Sequence, residues 1–233
     1  MAQLGVFLIP PADHPFYQIT TRILGYDVWA ERTLESSLAG ALDPETLATW
    51  LDFAPTFGIH CTIGGAALAY DDADRPEIEA RLAWIASRTA PFTLVNGRFY
   101  DDFHARPKAL VTTFDSPDGA LQRLHRQVVT VVSPLYVSSN YAPQLPQLDE
   151  RKRELYYRTG EPWVLEHFEP HWTLMSGLPD EAAYVHARDL IGERTGLFAD
   201  ASTSALHVTD VQLVERPARG GSRVVASFPF MGG

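Results

Sequence analysis

Two short motifs have the residue types and the spacing to do chemistry: His60-Cys61-Thr62 and His171-Trp172-Thr173. In a β-strand, residues i and i+2 project from the same face. Each histidine would therefore stand beside its own threonine, with Cys61 or Trp172 turned the other way. If two such strands meet, two imidazoles and two hydroxyls share one pocket. Imidazole titrates near neutral pH, so one ring can accept a proton while the other donates one. Threonine hydroxyls can donate hydrogen bonds to non-bridging phosphate oxygens and stabilise their developing charge. That set suits transfer at phosphorus and needs neither metal nor cofactor. A third triplet, His207-Val208-Thr209, has the same spacing.

A lone His-x-Thr is usually an ordinary strand residue pair, so context must separate the three. Shifting the first half of the chain by 111 residues superimposes His60 on His171. The helix and strand expected after His60 then overlap those expected after His171. The same shift carries His207 back to Asn96, outside any His-x-Thr strand, and this triplet is read as a decoy. Cys61 beside His60 suggests a thiol nucleophile, but alternation turns it to the opposite face, where a buried thiol is the ordinary state. A zinc site of His60, His171 and either His104 or His167 is an alternative that no His-x-x-x-His or Cys-x-x-Cys spacing supports. Gly-x-Ser-x-Gly and Gly-x-x-x-x-Gly-Lys are both missing. Aromatics crowd the second motif. Of these, Tyr156 and Tyr157, with Arg153 beside them, are the expected substrate contacts, on a charged helix leading into the site.

The elements that must hold these residues can be read from periodicity and punctuation. Strands are expected at 4–9, 58–63, 92–99, 109–114, 170–175, 206–214 and 223–228. Helices are expected at 15–24, within 33–50 with an N-cap at Asp43-Pro44-Glu45, and at 76–87, 117–132, 147–157 and 180–194. Gly196 is a stop signal for the last of these, and Arg219-Gly220-Gly221 reads as the turn of a closing hairpin. Pseudo-repeats of about 4–100 and 108–230 follow, with no Gly-, Ser- or Pro-rich linker between them. The expectation is a single bilobed domain over 1–233. Its class is α+β, with two mainly antiparallel sheets facing a central cleft and helices outside.

The chain has 233 residues, of which 45% are hydrophobic and 21% charged, so a sizeable core is expected. No apolar run approaches the roughly 18 residues that cross a bilayer. No basic segment precedes the first apolar run, so a secretory signal is not expected, and the location read is cytoplasmic. One cysteine excludes an intrachain disulfide. Formal net charge is −10, which disfavours duplex DNA, because affinity for DNA comes from neutralising phosphates. A small phosphate ester or a short RNA end needs only a few local cations. Arg151, Lys152, Arg153 and Arg158 form one cationic cluster, and Arg216, Arg219 and Arg223 another. Each such cluster is more often a solvated face or loop than a site, and Arg153 is the member carried as a substrate contact.

These residues resemble the two-histidine (2H) phosphoesterase superfamily, marked by two His-x-Thr/Ser motifs on opposed strands of a duplicated fold. The likeness rests on Gly58-Ile59-His60-Cys61-Thr62-Ile63 and Pro170-His171-Trp172-Thr173-Leu174-Met175. More narrowly, Phe57 to Thr62 and Gly160 to Leu174 look like a bacterial subgroup whose genes often lie beside those for phosphonate use. The resemblance implies a cyclic phosphodiesterase acting on a 2′,3′-cyclic nucleotide, an RNA end or a small sugar cyclic phosphate. It implies His60 and His171 as the acid–base pair, in either order, and Thr62 and Thr173 as phosphate binders. The expected state is a monomer that does not bind membranes. The alternative is a module that binds a nucleotide or RNA end without turning it over. One departure is Gly64-Gly65-Ala66-Ala67, where the resemblance implies a bulkier stretch in the pocket wall beside His60.

Overall fold

A computed structural model describes residues 2–65, 68–100, 108–217 and 221–232. The class is α+β, built on one large antiparallel sheet with a separate two-stranded sheet. The first strand, β1 (Ala2–Leu8), leads through Pro10-Pro11 into α1 (Pro15–Leu24), where His14 accepts from the Phe16 amide and Gly25 ends the helix at φ +70°. A short ribbon of β2 (Tyr26–Asp27) and β3 (Arg32–Thr33) precedes α2 (Pro44–Trp50) and α3 (Ala54–Phe57). Asp43 caps α2 through a 2.9 Å bond from the Thr46 amide, as its Asp-Pro-Glu signature predicts. Next come β4 (Cys61–Gly64), β5 (Leu68–Tyr70), α4 (Arg75–Ala86) and β6 (Phe92–Phe99). The second half holds β7 (Ala109–Asp115), α5 (Ala120–Val131), β8 (Ser138–Ser139), α6 (Glu150–Thr159), β9 (Trp172–Ser176) and α7 (Glu181–Thr195). It ends with α8 (Ala201–Ser204), β10 (Leu206–Val208), β11 (Asp210–Arg216) and β12 (Arg223–Pro229).

Strand order is β10-β6-β7-β9-β4-β1-β11-β12, with β5 also paired to β1 and β8 paired to β5. The two expected sheets are thus hydrogen-bonded into one, and their junction is a single antiparallel pair, Cys61 opposite Trp172. The register on either side repeats. In β1 against β4, Phe7 faces Thr62 and Leu8 faces Cys61, with a bulge between Val6 and Phe7. In β7 against β9, Val111 faces Thr173 and Thr112 faces Trp172, with a bulge between Leu110 and Val111. A bulge bends its strand and re-aims side chains, and here one lies next to each threonine. Helices cross between the halves. The helix after β1, α1, packs on β9, while the helix after β7, α5, packs on β4.

Two expectations are corrected. The run 206–214 is not one strand: it breaks at Thr209, β10 pairs with β6 at one edge, and β11 pairs with β1 and β12 in the other half. One unbroken strand cannot serve ladders at opposite ends of a sheet. Helix α5 starts at Ala120 rather than Pro117, because the Ser116 hydroxyl accepts from the Leu121 amide and the Asp118 carboxylate from Ala120. The turn at 218–220 lies outside the described residues.

Candidate active site

At the junction, Cys61 and Trp172 are fully buried, and Trp172 packs edge-on against Phe16 and Phe114. Both point into the core, as alternation requires. Continuing the antiparallel register by one residue sets His60 across from Thr173 and Thr62 across from His171. The four side chains therefore share the other face, with the two histidines on one diagonal. Diagonal neighbours on a regular antiparallel pair have separations of about 7–8 Å. That leaves room for a phosphate between them. All four residues are half-buried.

Both imidazoles are anchored in the same way. Nδ1 of His60 lies 3.0 Å from the Gly58 carbonyl, and Nδ1 of His171 lies 2.8 Å from the Glu169 carbonyl. A carbonyl can only accept, so Nδ1 donates in both rings, and Nε2 is the nitrogen that exchanges protons. His60 is also held between two phenyl rings, Phe7 at 4.1 Å and Phe57 at 5.4 Å between centroids. The Arg216 guanidinium lies over the outer ring, 4.7 Å from the centroid of Phe57. Burial pulls the His60 pKa down to about 4, against a smaller opposing effect of the Gly58 carbonyl. At neutral pH His60 is uncharged and able to accept a proton. The acid limb of activity, which needs neutral His60, should rise with pH through about 4. Phe57→Ala admits water to the ring and should move this acid limb upward, toward the ordinary value of 6.5. A kcat/KM–pH profile of both proteins checks this.

A cavity of about 660 Å³ opens on this face, within the range of small-molecule sites, about 300–1,000 Å³. Thr62, Thr173 and His171 line it; His60, enclosed by its phenyl rings, is not among the lining residues. Its far wall is the segment 161–168 and the start of α6, tied to α5 by a small apolar cluster of Val129, Leu155 and Val164. The helix α6 does reach the site, but not through the expected residues. Arg153, Tyr156 and Tyr157 do not line the cavity; Tyr157 is 70% exposed and meets Tyr156 edge to face. Lys152 lines it instead.

The Gly64-Gly65 step has a physical role. A Cβ on Gly64 would come within 3.1 Å of Val128 on α5, so the glycine permits close packing of that helix. Gly65 has φ +81°, and its amide donates at 2.9 Å to the buried carboxylate of Glu161, another cavity residue. Gly65→Ala should cost about 1–2 kcal/mol in denaturant unfolding, because L-residues resist this region.

His207 sits at the far edge of the sheet on β10, exposed and 3.2 Å from the Thr93 hydroxyl, apart from the other two motifs. Of the zinc alternatives, His104 lies outside the described residues, and His167 lines the cavity. Among the described residues no three His, Cys, Asp or Glu side chains gather as a metal cage, and no helix is long and apolar enough to cross a membrane.

Two solved structures share this architecture over almost their whole length. TT0787 of Thermus thermophilus has a TM-score of 0.52 at 15% identity, covering 100% of this chain and 99% of that one. Escherichia coli LigT complexed with 3′-AMP has a TM-score of 0.50 at 15% identity, covering 99% of each chain. The fold is that of the two-histidine phosphoesterases. The chain itself belongs to the family described as "Protein of unknown function (DUF1045)", whose model matches residues 67–222. That span holds His171 and Thr173 and begins just after the first motif. A curated relative, "Ribose 1,5-bisphosphate phosphokinase PhnN" of Laribacter hongkongensis (strain HLHK9), is 26% identical over 193 residues. The alignment covers 76% of this chain but spans only 40% of that relative's length.

Proposed function

We propose that the protein opens a cyclic phosphate ester with water, His60 acting as general base and His171 as general acid. The observation that carries this reading is the crossing of the two His-x-Thr strands at one residue pair, which gathers both imidazoles and both hydroxyls on one face. Nε2 of neutral His60 takes a proton from water as the oxygen attacks phosphorus. The bond from phosphorus to one ring oxygen breaks, and His171 gives that oxygen its Nε2 proton. Thr62 and Thr173 donate to the non-bridging oxygens. One phosphate monoester and one free hydroxyl result, and the proton on His60 returns to His171 through solvent. The low pKa of His60 favours this order of roles over the reverse.

The relative's name supports a substrate class. Opening a ribosyl 1,2-cyclic phosphate that carries a 5-phosphate, at the bond to O2, yields ribose 1,5-bisphosphate. That is the compound named for the kinase with which this chain shares 193 aligned residues. A 2′,3′-cyclic nucleotide or RNA end presents the same reacting group, although a net charge of −10 opposes long RNA. The test is incubation with the 5-phosphorylated 1,2-cyclic phosphate and with a 2′,3′-cyclic nucleotide, followed by ³¹P NMR, with and without a chelator. Conversion to monoester that survives the chelator is expected. Saturable binding with no product would mean a binding module instead. Loss in chelator, restored by zinc, would mean a metal enzyme.

A further inference from the structure

The cavity carries a second set of polar groups that opening one cyclic phosphate does not use. Lys152 is the single Lys or Arg among its described lining residues. Its side chain is only 19% exposed, low for a lysine. The ammonium lies 4.3 Å from the centroid of the Trp163 ring and 3.1 Å from the Asp149 carboxylate. An ammonium has three donors. Asp149 occupies one, and no other described residue accepts from it. His167 lines the same cavity, and its Nε2 is buried with no hydrogen-bond partner among the described residues. The Lys152 amide and side chain hold the Asp149 carboxyl below its ordinary value.

An unpartnered buried nitrogen on a residue of the cavity wall costs free energy, which the ring can recover by turning that nitrogen toward a ligand. A partly desolvated ammonium lining the same cavity favours an anion. The reacting diester already has Thr62, Thr173 and His171. A nucleobase is the poorer fit, because Lys152 already lies against the Trp163 ring on which a base would stack. An anion with several acceptor oxygens, as in a phosphate monoester, can take donors from both the ammonium and an imidazole N–H.

We propose that Lys152 and His167 form a subsite for a terminal phosphate monoester on the same molecule whose cyclic phosphate is opened at His60 and His171. This rests on the reading of the site as a cyclic phosphodiesterase and narrows its substrates to phosphorylated sugars or nucleotides. Trp163 is a positioning residue that holds the lysine over the cavity.

The experiment compares kcat/KM for ribosyl 1,2-cyclic phosphate with and without its 5-phosphate, in wild type, Lys152→Met and His167→Asn. Wild type should prefer the 5-phosphorylated compound by about tenfold or more, the size expected of one charge-assisted hydrogen bond. Lys152→Met should bring the ratio near one, mainly through KM, and His167→Asn should lower it. A wild-type ratio near one, or a ratio unmoved by Lys152→Met, overturns the subsite while leaving the phosphodiesterase reading intact. If wild type turns over neither compound, that reading fails, and calorimetric titration with ribose 5-phosphate decides the subsite by itself. Binding weakened by Lys152→Met supports it, and equal binding overturns it.

Discussion

His171→Ala should lower kcat for cyclic phosphate opening by about 10²–10⁴-fold, and His60→Ala should do the same. The two losses arise differently. Without His171 the leaving oxygen departs as an alkoxide. Without His60 the attacking water keeps its proton. Thr62 and Thr173 remain in both variants, so KM should move much less than kcat. The double variant should be little worse than either single one, because groups that act in one proton relay are not additive. Of the two single variants, only His60→Ala should remove the acid limb near pH 4. Cys61→Ala is the control: its thiol is buried behind the site, so it should lose stability rather than turnover. Steady-state hydrolysis, with circular dichroism to confirm folding, checks all four proteins. Wild-type rates in both single histidine variants would end the acid–base assignment.

The pairs His60/Thr62 and His171/Thr173 were legible because a strand has a period of two, so i and i+2 decide which groups share a face. The same rule separated Cys61 and Trp172, and both are in the core. Helix limits were legible where a capping side chain is local, as at Asp43-Pro44, or at Asp180 and Gly196, which bound α7. What sequence could not give was the rotation of a helix about its axis. Arg153, Tyr156 and Tyr157 had the attractive side chains, but α6 is turned by Leu155, which packs with Val129 and Val164. Lys152 lies one turn before Leu155 on that same face, so i and i+3 spacing from the buried leucine was the available signal. Whether Leu155 or another residue faced inward depended on α5, which lies far off in sequence. The split of 206–214 at Thr209 was hidden for a similar reason: local alternation is alike in both pieces, and only tertiary pairing distinguishes them.

His125→Ala should destabilise the fold by about 3–5 kcal/mol, the range for opening a buried gap and orphaning backbone groups together. His125 sits on the apolar face of α5, between Leu121, Leu124 and Val128, where sequence shows only a lone histidine among hydrophobic residues. In the structure it bridges the two motif segments. Nδ1 donates to the Ile63 carbonyl at 2.7 Å, and Nε2 accepts from the Leu165 amide at 2.8 Å. One partner directly follows Thr62, and the other opens the turn that leads to His171. Phe168 stacks on the ring at 3.7 Å, and Leu165 is held at φ +57°, where a non-glycine residue needs such support. This hydrogen-bond pattern demands a neutral ring, since a second N–H would point at the Leu165 donor. Burial pulls the pKa of His125 down to about 4. Between about 4 and 6.5 the unfolded chain therefore binds more protons than the folded one. Stability should be full above pH 6.5, fall as pH drops toward 4, and change no further from this group below that. The loss is on the order of 3 kcal/mol for a shift of this size. His125→Gln keeps one donor and one acceptor but cannot titrate, so it should recover part of the stability and flatten the slope, leaving the share that belongs to His60. Urea melts of the three proteins at pH 7.5 and pH 5 measure both effects. A midpoint for His125→Ala equal to wild type would show that the bridge does not hold the two segments together. An unchanged slope in His125→Gln would show that His125 is not the group whose protonation loosens them.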